Sequence, residues 1–185
     1  MFIRNHFDKK PFEEILNQDT IRSILKYSNT VIDNNWKDYI GEDYFRSIKD
    51  DRKYFHGLHK NVINLEFLKL GNQYVVDKFI PELTKIYPNM NIEKSGYNYY
   101  PNTGYMSWHT NHDHPCRRVY INYSSESKKS FFRYYNRIDK TFITDYDDEG
   151  ITIREFLIPN ERPYFWHCVG SECDRISFGF RIKLK

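Results

Sequence analysis

The sequence has no apolar run approaching the roughly 20 residues that a membrane-spanning helix needs, and its opening stretch, MFIRNHFDKKPFEE, lacks the uninterrupted apolar core of a signal peptide. Both absences predict an intracellular, soluble protein, cytoplasmic and without a membrane partner. Cysteine is scarce as well. Cys116, Cys168 and Cys173 are odd in number and have no CxxC spacing, which argues against a disulfide framework or zinc set and for reduced thiols. Charge of one sign is not in excess: the net charge of +3 is too small and too scattered to imply a nucleic-acid partner by itself. No repeat, low-complexity stretch or flexible linker interrupts the 185 residues, so the chain is read as one domain, 1–185, long enough to bury a core without staples.

What the sequence does hold is aromatic side chains, 18 % of the total, which argues for a packed fold over disorder. It divides into two halves. Residues 1–90 read mainly as helical support. In YVVDKFIPELTKIYP the apolar Val75, Val76, Phe79, Ile80, Leu83, Ile86 and Tyr87 recur at helical spacing, with Pro81 inside and Pro88 as the stop. Phe12, Ile15, Leu16, Ile21, Ile24 and Leu25 show the same spacing, and Asp19 or Thr20 can cap a second helical piece.

From about residue 91 to 185 the pattern becomes short runs of Tyr, Phe, Ile and Val separated by turn residues, the mark of an antiparallel β core. About eight strands are predicted: around Ile92, then 97–100, 105–111, 119–123, 130–135, 151–158, 164–168 and 175–184. In the last of these, RISFGFRIKL, apolar residues alternate with Arg175, Ser177, Gly179, Arg181 and Lys183, so Arg175 and Ser177 share a face.

The densest chemistry lies in GYMSWHTNHDH, residues 104–114. Simple alternation puts Tyr105, Ser107, His109 and Asn111 on one strand face, with Met106 and Trp108 on the other, so His109 and Asn111 can be offered together to a metal. His167, in PYFWHCV, ends a second aromatic strand 58 residues later and eight positions before Arg175. A basic and aromatic segment, Arg117 to Lys140, adds a different possibility, a surface for an anionic substrate or nucleic acid.

Over residues 96–184 these pieces resemble the Fe(II)- and 2-oxoglutarate-dependent oxygenases, in particular the prolyl-hydroxylase-like members. YNYYPNTGYMSWHTN is similar to their first ligand strand, RRVYINYSS to the following core strand, FWHCV to the second ligand strand, and RISFGFRI to the closing strand. The resemblance implies an α+β fold, a double-stranded β-helix (jelly roll) with N-terminal supporting helices. It implies Fe(II) and 2-oxoglutarate as cofactor and cosubstrate, held by His109 and His167 on the metal and by Arg175 and Ser177 on the far carboxylate, with Tyr97, Tyr99 or Tyr120 as further donors. The activity implied is that of a dioxygenase, an oxidoreductase that hydroxylates or otherwise oxidises a peptide side chain, a small molecule or a nucleobase. Two imidazoles and one carboxylate on one side of a ferrous ion leave positions open for a 2-oxo acid and dioxygen.

The sequence departs from that pattern at one position. Asn111 stands where the family carries a carboxylate, and Asp113 has the right chemistry two residues further on, reachable if a turn at Asn111 folds it back. Asp113, Asn111 or neither completes the ligand set. The last case is that of a non-oxidising, cupin-like metal-binding protein or an inactive oxygenase homologue.

Overall fold

The computed structural model describes residues 2–27, 32–51, 53, 55–65 and 72–185, with the side chains of residues 72–76 outside the description. Two antiparallel β-sheets, flanked by a few helices, make up the described chain. Short strands β1 (Phe2–Arg4), β2 (His59–Lys60) and β3 (Ile63–Asn64) come from the first half. The remaining strands are β4 (Met90–Tyr100), β5 (Tyr105–His109), β6 (Cys116–Ser124), β7 (Ser130–Asn136), β8 (Thr141–Tyr146), β9 (Gly150–Ile158), β10 (His167–Ser171) and β11 (Arg175–Leu184).

One sheet has the order β1-β9-β6-β11-β4-β3 and the other β2-β5-β10-β7-β8. The hairpin β7–β8 is enclosed by the pair β6–β9, that by β5–β10, and that by β4–β11, so the chain pairs like one long hairpin wound over itself. Alternation then gives each strand an inner and an outer face. Tyr100, Phe132, Phe156, Ile158 and Val169 meet between the sheets.

The helices cover the outer faces. Helices α1 (Lys10–Ile15), α2 (Gln18–Leu25) and α4 (Asn72–Ile86) put Phe12, Ile24, Phe79 and Leu83 against Val119, Ile121, Phe178 and Phe180 of the six-stranded sheet. A 3-10 helix (Trp36–Ile40) and α3 (Glu42–Ile48) place Trp36, Ile40 and Phe45 against Trp108, Phe131, Trp166 and Cys168 of the other sheet. Support therefore falls on both sheets. Pro81 lies inside α4, while Val75 and Val76 belong to the side chains outside the description. The cap of α2 is Asn17, whose side chain accepts from the Thr20 amide at 3.0 Å, rather than Asp19 or Thr20.

Other expectations need correction. The segments around Ile92 and at 97–100 form the single strand β4, continuous through a bulge at Ser95, where Gly96 takes a φ of 136° that favours glycine. Strand β8 is not apparent from the sequence because it is a half-exposed edge strand ending in Asp145 and Tyr146. The strand expected at 164–168 begins only at His167; before it, Tyr164 and Trp166 pack their rings on Phe55, and the Trp166 carbonyl accepts from the Tyr135 amide at 3.0 Å. Among the described residues no helix is long and apolar enough to cross a membrane.

Candidate metal centre

His109 and His167 are direct partners in the β5–β10 ladder, with ring centroids 4.1 Å apart. A bulge makes this possible. His109 faces His167 while Met106, three residues back, faces Val169, only two residues on, so β5 carries an extra residue. Met106 and His109 thus both turn inward, where simple alternation predicts opposite faces, and Trp108 stays in the outer cluster.

Each imidazole is oriented by its own strand. Nδ1 of His109 donates to the Ser107 carbonyl at 2.8 Å and Nδ1 of His167 to the Phe165 carbonyl at 3.0 Å. A carbonyl only accepts, so each Nδ1 carries the proton and each Nε2 keeps a lone pair. Burial lowers His109 to about 4, reinforced by the nearby Arg118 charge and opposed by the Ser107 carbonyl. Burial, then the neighbouring His109, holds His167 well below the usual histidine range. The result is two neutral imidazoles side by side, the form that binds metals.

Asn111 completes the local geometry. It sits just beyond β5 with φ of 54°, a left-handed conformation that asparagine tolerates better than most residues. This turns its side chain back so that Nδ2 lies 3.1 Å from Nε2 of His167. The following turn, closed by the His114 amide donating to the Asn111 carbonyl, carries Asp113 away. Asp113 instead meets Nε2 of His112 at 3.0 Å and of His56 at 3.6 Å. Among the described residues no three His, Cys, Asp or Glu side chains converge as a metal site, so the inward trio is His109, His167 and Asn111.

The pocket they line continues along the inner face of the other sheet, past Tyr120, Tyr100, Asn98 and Ser177. Tyr120 faces it, whereas Tyr97 and Tyr99 do not. They belong to the outer core beneath the helices, and Tyr99 donates to Asp174 at 2.6 Å. The inward tyrosine of β4 is Tyr100, because Arg175 pairs with Tyr100 and the alternation runs from there through Asn98 to Gly96.

Arg175 is fully buried over the Tyr100 ring. Its Nε donates to Asp147 at 2.9 Å and Nη2 to Oδ1 of Asn122 at 2.8 Å, while Nη1 has no partner among the described residues. Asp147 also accepts from Arg154 and from Ser130. Burial alone would raise the Asp147 carboxyl, but the two guanidinium groups, Arg154 first, outweigh it and hold it far below the usual range. The Ser177 hydroxyl donates to Asn122 at 2.7 Å, so its proton is already committed. Asn122, Asp147 and Arg154 are the residues that the sequence reading misses. Asn122 was open to discovery by parity, because it shares a face of β6 with Tyr120.

The basic segment is largely absorbed by the fold. Arg117 pairs with Glu155 at 2.9 Å, Arg133 donates to Thr144 and to the Ile40 carbonyl, and Arg137 to the Pro163 carbonyl.

No protein-family model matches the sequence, and no curated protein does. Among solved structures the chain is similar to a Pseudomonas putida prolyl-4-hydroxylase, at 12 % identity and a TM-score of 0.49 over 100 % of this chain and 92 % of that one. It is also similar to a Trichoplax adhaerens prolyl hydroxylase in complex with a peptide fragment of hypoxia inducible factor, at 13 % identity and a TM-score of 0.40 over 95 % and 91 % of the two chains. A 2OG-Fe(II) oxygenase family oxidoreductase from Burkholderia pseudomallei matches 64 % of this chain and 56 % of its own, at 11 % identity and a TM-score of 0.39. At such identities and scores the likeness is one of outline, and the chemistry is read from the site's own residues.

Proposed function

We propose that the chain is an Fe(II)- and 2-oxoglutarate-dependent dioxygenase, and that its nested ladders form the double-stranded β-helix, or jelly roll, of a single domain. The observation that carries this reading is the in-register pair His109 and His167, both buried and neutral, with Nδ1 tied back and the rings lining one pocket.

A divalent metal fits this donor set. His109 and His167 would hold it through Nε2, and Asn111, after a half-turn of its amide, through Oδ1. Iron, when bound, supplies the redox-active centre at which 2-oxoglutarate is decarboxylated and a substrate oxidised. The unpartnered Nη1 of Arg175 is a buried donor suited to a carboxylate, with Ser177 beside it as a member of the wall and Asn122 holding both. Tyr120, Tyr100, Met106 and Val169 line the space between and restrict the water that reaches it.

One observation favours a second reading, a cupin-like metal-binding protein that does not oxidise. Both negative charges that the reaction would place are altered here: the third ligand is a neutral amide, and Arg175 already carries Asp147. An anaerobic titration with Fe(II) and then 2-oxoglutarate separates the two. The oxygenase reading expects a weak visible charge-transfer band that disappears in His109→Ala and His167→Ala. Iron uptake with no band on adding 2-oxoglutarate would leave the metal-binding protein.

A further inference from the structure

Three guanidinium groups are buried on the inner face of the six-stranded sheet, those of Arg118, Arg154 and Arg175. Two of them share the Asp147 carboxylate. Arg118, only 2 % exposed, has no carboxylate partner among the described residues: Nη1 donates to the Ser95 hydroxyl, Nη2 to the His114 carbonyl at 3.4 Å, and Nε meets no acceptor there. A buried cation held by neutral oxygens alone is strongly disfavoured, and it persists most economically where an anion arrives from outside.

Its place in the fold says which outside molecule that is. On β6, Arg118 points the same way as Tyr120, a wall of the pocket, and Ser95, to which it donates, is another. Along the β6–β11 ladder the inward pairs run Arg175 with Ser124, Ser177 with Asn122, Gly179 with Tyr120, and Arg181 with Arg118. Arg175 and Arg118 thus flank the pocket-lining Ser177, Gly179 and Tyr120 on either side, about 20 Å apart along the strand at roughly 3.3 Å per residue. A five-carbon diacid held at the Arg175 end does not extend to Arg118.

We infer that Arg118 is an anion subsite that receives a carboxylate or phosphate group of the substrate, docked through the free Nε–H. The ligand's being a substrate rests on the oxygenase reading; the binding of an anion does not. Carboxylate and phosphate share the chemistry required, two or more acceptor oxygens facing a guanidinium edge.

The test begins with metal-free protein in chelator and inorganic sulfate as the probe, read by thermal unfolding. Millimolar sulfate is expected to raise the unfolding temperature of the wild type by several degrees through preferential binding to the native state. In Arg118→Gln the rise should fall to the general salting effect of sulfate, whereas Arg118→Lys should retain part of it. Without sulfate, Arg118→Gln should melt no lower than the wild type, since it removes an uncompensated buried charge; a merely structural arginine would melt lower. An equal sulfate response in wild type and Arg118→Gln overturns the inference. The source is then assigned with Mn(II) and saturating 2-oxoglutarate present. A sulfate response that persists supports a substrate subsite, and one that is abolished overturns the substrate assignment and gives Arg118 to the cosubstrate. If the iron titration fails while the Arg118-dependent response stands, the oxygenase reading falls and the anion site survives it.

Discussion

The amide nitrogen of Asn111 lies 3.1 Å from Nε2 of His167, a contact made across 56 residues of chain by the left-handed turn after β5. A carboxylate at this position would keep the backbone conformation, which aspartate also tolerates, and would add a negative charge to two neutral imidazoles. Asn111→Asp is therefore expected to tighten Mn(II) or Fe(II) binding at pH 7 by about tenfold or more, equivalent to roughly 1.4 kcal/mol. Isothermal titration under anaerobic conditions measures this directly; unchanged affinity would mean that position 111 does not reach the metal.

Asp113 makes the contrasting case. It is paired with His112 and His56 at the surface, and neither contact touches the inward pair. Asp113→Ala should leave metal affinity within a factor of two and cost no more than about 1 kcal/mol of stability, the range of exposed ion pairs. A large loss of metal affinity in this variant would restore Asp113 as a ligand.

Gly170 provides a test of packing behind the site. A Cβ there would come within 2.6 Å of the Trp36 ring and 2.7 Å of the Phe131 ring. Gly170→Ala should destabilise by about 1–3 kcal/mol through overpacking, lowering the unfolding temperature by several degrees. Because His167 lies three residues earlier on the same strand, the variant should also bind metal more weakly once β10 has shifted.

Asp147 fixes the acid limit of the fold. Its carboxyl is held far below the ordinary 3.8 by Arg154 and Arg175, against the opposing effect of burial. A depressed carboxyl stabilises the native state fully above the unfolded value and loses that contribution as pH falls below it, because the unfolded chain takes up the proton first. Each pH unit below about 3.8 should then remove about 1.4 kcal/mol. Urea unfolding at pH 5, 4 and 3 should show this slope in the wild type and a shallower one in Asp147→Asn. At neutral pH the same variant should be less stable by about 3–5 kcal/mol, with the buried Arg175 left without a counter-charge and Arg154 keeping only Asp145.

Periodicity carried most of the β half, since strands buried on both faces announce themselves through Val, Ile and aromatic residues, as in β9 and β11. It also brought His109 and His167 forward as a pair. The faces were harder to read. One extra residue in β5 turns Met106 inward, and β4 shows two alternating sets of tyrosines, of which Tyr97 and Tyr99 fall outward and Tyr100 inward. Nothing local distinguishes these sets, because the choice is made by register with β11. Asp147 was beyond reach for a related reason. It follows the polar edge strand β8, and only the ladder with β7 carries it to Ser130 and on to the two arginines.

The nested order of the ladders has a consequence for biosynthesis. His109 leaves the ribosome long before His167, and the two become neighbours only when β10 has been made and laid against β5. At about 5–20 residues per second, the nascent chain spends seconds with one half of the pair exposed and no chelating partner. Under the proposed function, metal acquisition would thus be deferred to the closing of the second-outermost rung, and a bound ion would report that the chain has been completed to that point.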